Sequence, residues 1–198
     1  MKKVLPFIII IAIIWACKKD PSSAPTDKAT PYDFPTISNF RILDIDTANL
    51  LTNEGVELGH LLFFDTRLSQ DFTLSCSSCH QPEQGFSDSR QFSLGVNGTI
   101  GKRQSMSVLN LAWSKQFFWD GRAATLREQA LFPVPDTTEM HLPWDEAVQR
   151  LQDHSKYKEK FKAAFGTDII SKELVGKALE QYLKALVSYN APFDKYIR

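Results

Sequence analysis

The stretch that decides the fold reads Cys76-Ser77-Ser78-Cys79-His80, a Cys-x-x-Cys-His motif. Two thiols three positions apart lie on one side of a helical turn, where each can add to one vinyl group of a porphyrin. The imidazole that follows is then placed to bind the iron. The motif therefore predicts one covalently attached haem c, held by Cys76 and Cys79, with His80 as the iron ligand.

A Cys-x-x-Cys-His sequence can also belong to a redox pair, a zinc site or a disulfide. A thioredoxin-like Cys-x-x-Cys pair needs a βαβ surround, and no such pattern flanks it. A zinc site needs two more Cys or His ligands at short spacing, whereas His60 and His141 are distant in the sequence. A disulfide between Cys76 and Cys79 is compatible with an oxidising compartment but leaves His80 without a role. The haem interpretation uses all three side chains.

The N-terminus indicates export. Two lysines precede an apolar run, Val4–Ala16, which is too short to span a bilayer of roughly 30 Å but suits a signal peptide. A buried N-terminal helix is the alternative. The run ends in Ile-Trp-Ala-Cys, which resembles a bacterial lipoprotein cleavage box with a small residue before Cys17. We expect residues 1–16 to be removed and Cys17 to become a lipidated first residue, since several acyl chains give stable anchoring.

The composition of the chain after the signal peptide predicts a tether followed by one domain. Residues 17–37 are rich in Pro, Ser and Thr, which predicts an extended tether, and residues 38–198 are expected to form one haem domain. Lys and Arg number 23 and Asp and Glu also number 23. This balance argues against a nucleic-acid partner, because phosphate contacts require a basic surplus. Three cysteines are too few for a disulfide framework.

The periodicity of apolar residues predicts an all-α fold. The clearest helix is predicted over Ser171–Ser188, where apolar residues recur with the period of one helix face. Polar residues and glycines dominate Gln81–Gly101, which predicts a long loop. Further helices are predicted from Asn53 to about Phe63, over Ala123–Phe132, from Pro143 to about Asp153, and over Tyr157–Phe165 with Gly166 closing it. Long loops around one haem motif indicate a cytochrome c-like domain.

Longer motifs flank the haem motif in a fixed order. They are the run Leu58–Ser69 (LGHLLFFDTRLS), Gly85–Asp88 (GFSD), Phe118–Ala123 (FWDGRA) and the pair Glu139-Met140. Together they resemble the N-terminal, peroxidatic haem domain of the bacterial di-haem cytochrome c peroxidases and their MauG-like relatives. The resemblance runs from about Thr52 to the end of the chain. The closing segment, Ser188–Tyr196, resembles the link by which that family passes to its second haem domain.

The resemblance implies a set of pocket residues besides the haem-binding motif. Gln129 and Glu139 match a distal polar pair, Pro133 matches a proline that lines the pocket, and Trp119 matches a tryptophan between two haems that relays electrons. Splitting the O–O bond of peroxide requires a proton to move from one oxygen to the other, which Glu139 can do as acid and base while Gln129 holds the peroxide. Taken alone, Trp119 can be core, Glu139 an exposed charge and Gln129 a solvent-facing residue.

The remaining candidate ligands are weaker. We expect Met140 to serve packing and His141 to lie at the surface, since adjacent residues rarely both reach one iron. His60, Met106 and His154 are weaker candidates still.

The resemblance implies a periplasmic enzyme that reduces hydrogen peroxide to water. A small cytochrome c or a copper protein would supply the electrons. The lipid on Cys17 would hold the enzyme at a membrane, and the outer membrane is expected in preference to the inner one. Two alternatives remain open: a mono-haem electron carrier or sensor without turnover, and a MauG-like oxidase that modifies a partner protein.

Two departures from the family pattern qualify these expectations. Residues 93–97 contain no histidine where many members place a second iron ligand, so the iron is expected to be open and high-spin. Only one Cys-x-x-Cys-His motif is present, so the second haem domain is expected to lie beyond Arg198, as in a truncated product, a fragment or half of a split enzyme. Calcium is expected only with that second domain, because Gln104 replaces the usual asparagine after Arg103.

Overall fold

The computed structural model describes residues 29–37, 40, 41, 43 and 46–197. Across these ranges β pairing is limited to four isolated bridges, so the predicted helical fold is confirmed. Short 3₁₀ turns occupy parts of the loops. The helices are α1 (Asn53–Phe63), α2 (Cys76–Cys79), α3 (Leu126–Leu131), α4 (Trp144–Gln152), α5 (Ser155–Phe165), α6 (Lys172–Ala185) and α7 (Pro192–Tyr196).

Helices α1 and α6 form the centre of the fold. The Thr52 hydroxyl accepts a hydrogen bond from the amide of Gly55 and so caps the N-terminus of α1. The apolar stripe predicted for α6 is buried against α1, with Leu179 and Val175 almost fully enclosed. Gly59 permits this close approach, because a Cβ there would overlap the backbone carbonyl of Ala178.

The C-terminal half completes the core around this pair. Leu151 of α4 and Phe161 of α5 are fully buried, and α5 ends at Gly166 in the left-handed conformation, as its position predicted. Arg127 of α3 bonds Glu180 of α6 at 2.9 Å, which fixes α3 against the central pair. Since α3 and the long loops border one cavity, this packing positions the candidate site. None of the helices in the described ranges is long and apolar enough to cross a bilayer.

Part of the segment predicted as a tether packs on the domain. The amide of Thr30 donates to the Glu54 carboxylate at 2.7 Å, and the amide of Tyr32 donates to the carbonyl of Leu51 at 3.0 Å. The ring of Phe34 lies 5.6 Å from that of Trp113, centroid to centroid. Packing therefore begins near residue 29, before the boundary that composition suggested. The predicted signal peptide and Cys17 lie outside the described residues.

Candidate functional site

One cavity of about 480 Å³ brings the candidate site residues together. The long loops, α2 and α3 surround it, and its volume is that of a typical ligand or cofactor site. Apolar walls come from residues such as Phe63, Val108 and Leu183. The sequence-predicted residues that line it are Cys76, Cys79, His80, Trp119, Gln129, Pro133 and Glu139.

His80 presents one ring nitrogen to the backbone. Its Nδ1 lies 2.9 Å from the carbonyl of Met106 and 3.3 Å from that of Phe86, so Nδ1 must carry the proton that it donates. Burial lowers the pKa of His80, although these two carbonyls act against the shift. The neutral ring therefore has an unprotonated Nε2, the form in which histidine binds a metal ion.

The two cysteines of the motif occupy the single turn of α2. Cys76 and Cys79 are free thiols that line the cavity, so the structure does not contain a disulfide between them. Burial, with a smaller contribution from Cys79, raises the pKa of Cys76 to about 12. The amide of Ser75 donates to the Ser78 hydroxyl at 3.0 Å, which orders the start of the turn. The sulfurs of these two cysteines, three residues apart in the sequence, thus both lie on the cavity wall.

Gln129 reaches the cavity from α3. Its side chain is buried, with only 8% exposed, so the solvent-facing alternative is wrong. Its Nε2 lies 3.5 Å from the sulfur of Met106, while its Oε1 is buried without a hydrogen-bond partner in the described part of the chain. A buried acceptor of this kind favours a bound hydrogen-bond donor.

Glu139 enters the cavity from the loop before α4. The amide of Val96 donates to the Glu139 carbonyl at 2.9 Å, and the amide of Met140 donates to the Pro133 carbonyl at 3.2 Å. Burial raises the pKa of Glu139 to about 7; Asp136 also raises it, and Arg122 lowers it. The carboxyl therefore exchanges protons near neutral pH, as acid–base catalysis requires. Its half-buried state contradicts the alternative of an exposed loop charge.

Trp119 lies at the mouth of the cavity. It is 63% exposed, so the interpretation as a core residue is wrong, and its indole N–H donates to the Gln104 carbonyl at 2.9 Å. The next residue, Asp120, pairs with Arg103 at 2.8 Å and with Arg122 at 3.0 Å. The guanidinium of Arg122 also lies 3.5 Å from the centre of the Phe118 ring, which fixes its position.

Sequence reasoning missed two groups at this site. Arg122, which acts on Glu139, belongs to the FWDGRA motif, so that motif was the available signal. The Phe86 carbonyl, which holds His80, depends on a left-handed backbone at Phe86 (φ 57°) that a bulky residue seldom adopts. No sequence pattern predicts that conformation.

The weaker candidate ligands lie in different places, and Met106 lines the main cavity beside Gln129. Met140 is buried, as expected, and His141 is half-buried. His60 and His154 line a separate surface cavity of about 440 Å³.

Comparison with known proteins gives consistent matches over the same region. The family described as di-haem cytochrome c peroxidase matches residues 53–198. The methylamine utilization protein MauG of Methylophilus methylotrophus is 41% identical over 150 residues, which cover 76% of this chain and 45% of that protein. Cytochrome c peroxidase Ccp of Escherichia coli (strain K12) is 38% identical over 144 residues, covering 72% of this chain and 31% of that protein.

Solved structures agree with the sequence matches. A MauG-like protein associated with microbial copper homeostasis has a TM-score of 0.77 and 30% identity, covering 85% of this chain and 50% of that one. The chain spans less than half the length of the two curated relatives described above. By its matched residues and its helical fold, the chain belongs to the di-haem cytochrome c peroxidase family.

Proposed function

We propose that this chain is a peroxidatic haem domain that reduces hydrogen peroxide to water. The observation that carries the proposal is the pairing, in one cavity, of a carboxyl whose pKa is about 7 (Glu139) with an unpartnered amide oxygen (Gln129 Oε1). An electron carrier needs neither group. Peroxide reduction needs both a group that moves a proton and a group that holds the substrate.

The residues of the cavity fit a haem. Cys76 and Cys79 would hold it through two thioether bonds, and the Nε2 of His80 would bind its iron, because Nδ1 is already committed to backbone carbonyls. The apolar walls suit a porphyrin, and Pro133 lines the same pocket. Such a haem supplies the redox chemistry, two electrons for each peroxide reduced.

The proton chemistry belongs to Glu139. As a carboxylate it takes a proton from one peroxide oxygen, and as an acid it returns the proton to the other, which leaves as water. Two electrons and two protons convert one peroxide into two water molecules. The unpartnered Oε1 of Gln129 accepts a hydrogen bond from the peroxide and keeps it oriented during this transfer.

Exposure of Trp119 supports electron exchange with a macromolecule. An indole that is 63% exposed at the cavity mouth can contact a partner directly while remaining next to the haem site. A small cytochrome c or copper protein would be the donor for peroxide reduction. The same exposure favours a second candidate function, oxidation of a partner protein as in a MauG-like enzyme, which removes electrons through Trp119 instead of delivering them.

The proposed setting is the periplasm, with the protein anchored through a lipid on Cys17. The predicted export signal and the proposed covalent haem are consistent with each other, because both belong outside the cytoplasm. Relatives in the family are cytochrome c peroxidases, which supports a haem peroxidase.

The test begins with haem attachment. The full chain, produced with a cytochrome c maturation system, should retain haem on a denaturing gel, and the Cys76→Ala, Cys79→Ala double variant should lose it. Ferric wild-type protein should give a high-spin paramagnetic resonance signal and react with peroxide. A low-spin signal from two strong axial ligands, together with no peroxide reaction, would favour the electron carrier instead.

A further inference from the structure

The side chain of Asp88 is a buried carboxylate that the proposed proton chemistry does not use. It is 1% exposed. Its Oδ1 accepts a hydrogen bond from the amide of Arg90 at 2.9 Å, whereas its Oδ2 is buried and has no hydrogen-bond partner within the described ranges. Native proteins keep few such atoms, so this unpartnered oxygen indicates a role beyond packing.

The backbone brings Asp88 close to His80 through a bridge between the neighbouring residues. Gln81 and Ser87 form an antiparallel bridge, in which the Gln81 amide donates to the Ser87 carbonyl at 3.0 Å. The next residues outward on the two segments, His80 and Asp88, are therefore opposite one another, as neighbours across an antiparallel pair are. Side chains opposite one another in an antiparallel pair share one face, and the carbonyl of Phe86 lies 3.3 Å from the Nδ1 of His80.

The charge of Asp88 acts on two residues of the Cys-x-x-Cys-His motif. Burial lowers the pKa of His80, and the negative charge of Asp88 acts against that shift. Burial raises the pKa of Cys79, and Asp88 contributes to raising it. The charge is also fixed in place, because the Gln104 side chain donates to the Asp88 carbonyl at 3.0 Å.

We infer that Asp88 is a positioning residue whose charge acts through His80 and lowers the reduction potential of the haem iron that His80 would bind. This inference rests on the proposed attachment of haem at His80. A negative charge behind the imidazole increases its electron donation and stabilises the ferric state, which carries one more positive charge than the ferrous state. Because the carboxylate is buried, solvent screens it little, so the effect exceeds that of any exposed carboxylate at similar distance.

Glu83 offers a matched control. It lies in the same loop, between His80 and Gly85, and carries the same charge, but its side chain is exposed. Solvent and salt screen a charge in that position. Asp88→Asn and Glu83→Gln therefore remove the same charge from the same loop and differ in burial.

The experiment measures the midpoint potential of the haem-loaded full chain by spectroelectrochemical titration. Asp88→Asn keeps an oxygen for the Arg90 amide, and should shift the equilibrium towards the ferrous form at least tenfold, or about 59 mV for one electron. Glu83→Gln should shift it less than twofold. The iron–histidine vibration of the ferrous protein should also fall in frequency in Asp88→Asn alone, a change that altered packing elsewhere would not produce.

A second variant, Asp88→Ser, provides an uncharged protein if Asp88→Asn fails to fold, since serine retains a side-chain oxygen in a smaller volume. Unchanged potentials in variants that hold their haem would overturn the inference. Loss of covalent haem from both Asp88 variants would also overturn it, because Asp88 would then serve folding of the loop. If Asp88→Asn shifts the potential as expected but the wild-type protein does not react with peroxide, the proposed function is contradicted and this inference stands.

Discussion

The pH dependence of the peroxide reaction follows from the environment of Glu139. An ordinary glutamate, with a pKa of 4.5, is ionised throughout the range from pH 6 to pH 8. With the pKa of Glu139 raised to about 7 by burial, the ionised fraction falls from about 0.9 at pH 8 to about 0.1 at pH 6. If the carboxylate takes the first proton from peroxide, the rate constant should fall about tenfold over this interval.

Stopped-flow mixing of the ferric protein with hydrogen peroxide, followed through the Soret band, measures this rate constant. Glu139→Gln should lower it by roughly 10²–10⁴-fold, the usual loss for a positioned acid–base group, and should abolish its pH dependence. Glu159→Gln, an exposed carboxyl on α5, is the control and should leave rate and profile unchanged. Haem staining of each variant shows whether a lost rate reflects a lost haem.

The profile should also respond to Arg122. Its positive charge lowers the pKa of Glu139, so Arg122→Leu should move the inflection to higher pH. Arg103→Leu removes the other cation paired with Asp120 and should move the inflection less. A rate constant that does not change between pH 6 and pH 8 in haem-loaded wild-type protein would refute the assignment of Glu139 as the base.

Three further predictions concern other parts of the chain. Gln129→Leu should slow the peroxide reaction about tenfold, the value of one neutral hydrogen bond, and a loss as large as that of the carboxyl variant would contradict its orienting role. Gly59→Ala should lower the free energy of unfolding by about 1–3 kcal/mol in urea, because the methyl overlaps the Ala178 carbonyl; Gly176→Ala, which meets only flexible side chains, should cost less. Cys17→Ser should release the protein from the membrane fraction, and wild-type protein without lipid on Cys17 by mass spectrometry would end the lipoprotein hypothesis.

Periodicity and capping residues predicted the helices well because they are local properties. Ser171, where the predicted helix begins, caps α6, since its hydroxyl needs only the amide of Leu174, three residues on. The predicted end at Ser188 is three residues late, because the residues after Ala185 bond Asn110 instead: the Asn110 amide donates to the Leu186 carbonyl at 2.8 Å and its side-chain oxygen accepts from the Ser188 amide at 2.8 Å. Helix α3 is also shorter than predicted, since the bridge between Phe117 and Ala123 holds the preceding chain in a turn.

The cavity residues were predictable only where a motif carried them. Trp119 and Glu139 came from the family resemblance, because neither residue type has a spacing rule of its own. The burial of Asp88 could not be predicted, since it depends on the bridge between Gln81 and Ser87 within a segment that reads as polar loop. Long-range contacts of loops leave no periodic trace in a sequence, and the electrostatics of this site depend on them.

If Cys17 carries a lipid, the packing of residues 29–37 on the domain limits how far the domain can lie from the membrane. Twelve peptide steps separate Cys17 from Ala29, and a polypeptide of that length cannot exceed about 43 Å. A tether reaching residue 37 would have allowed about 72 Å. A domain on the shorter tether samples a smaller volume next to the lipid surface. Its effective concentration towards other anchored redox proteins is therefore higher, whereas a soluble donor must diffuse to the membrane surface to reach it.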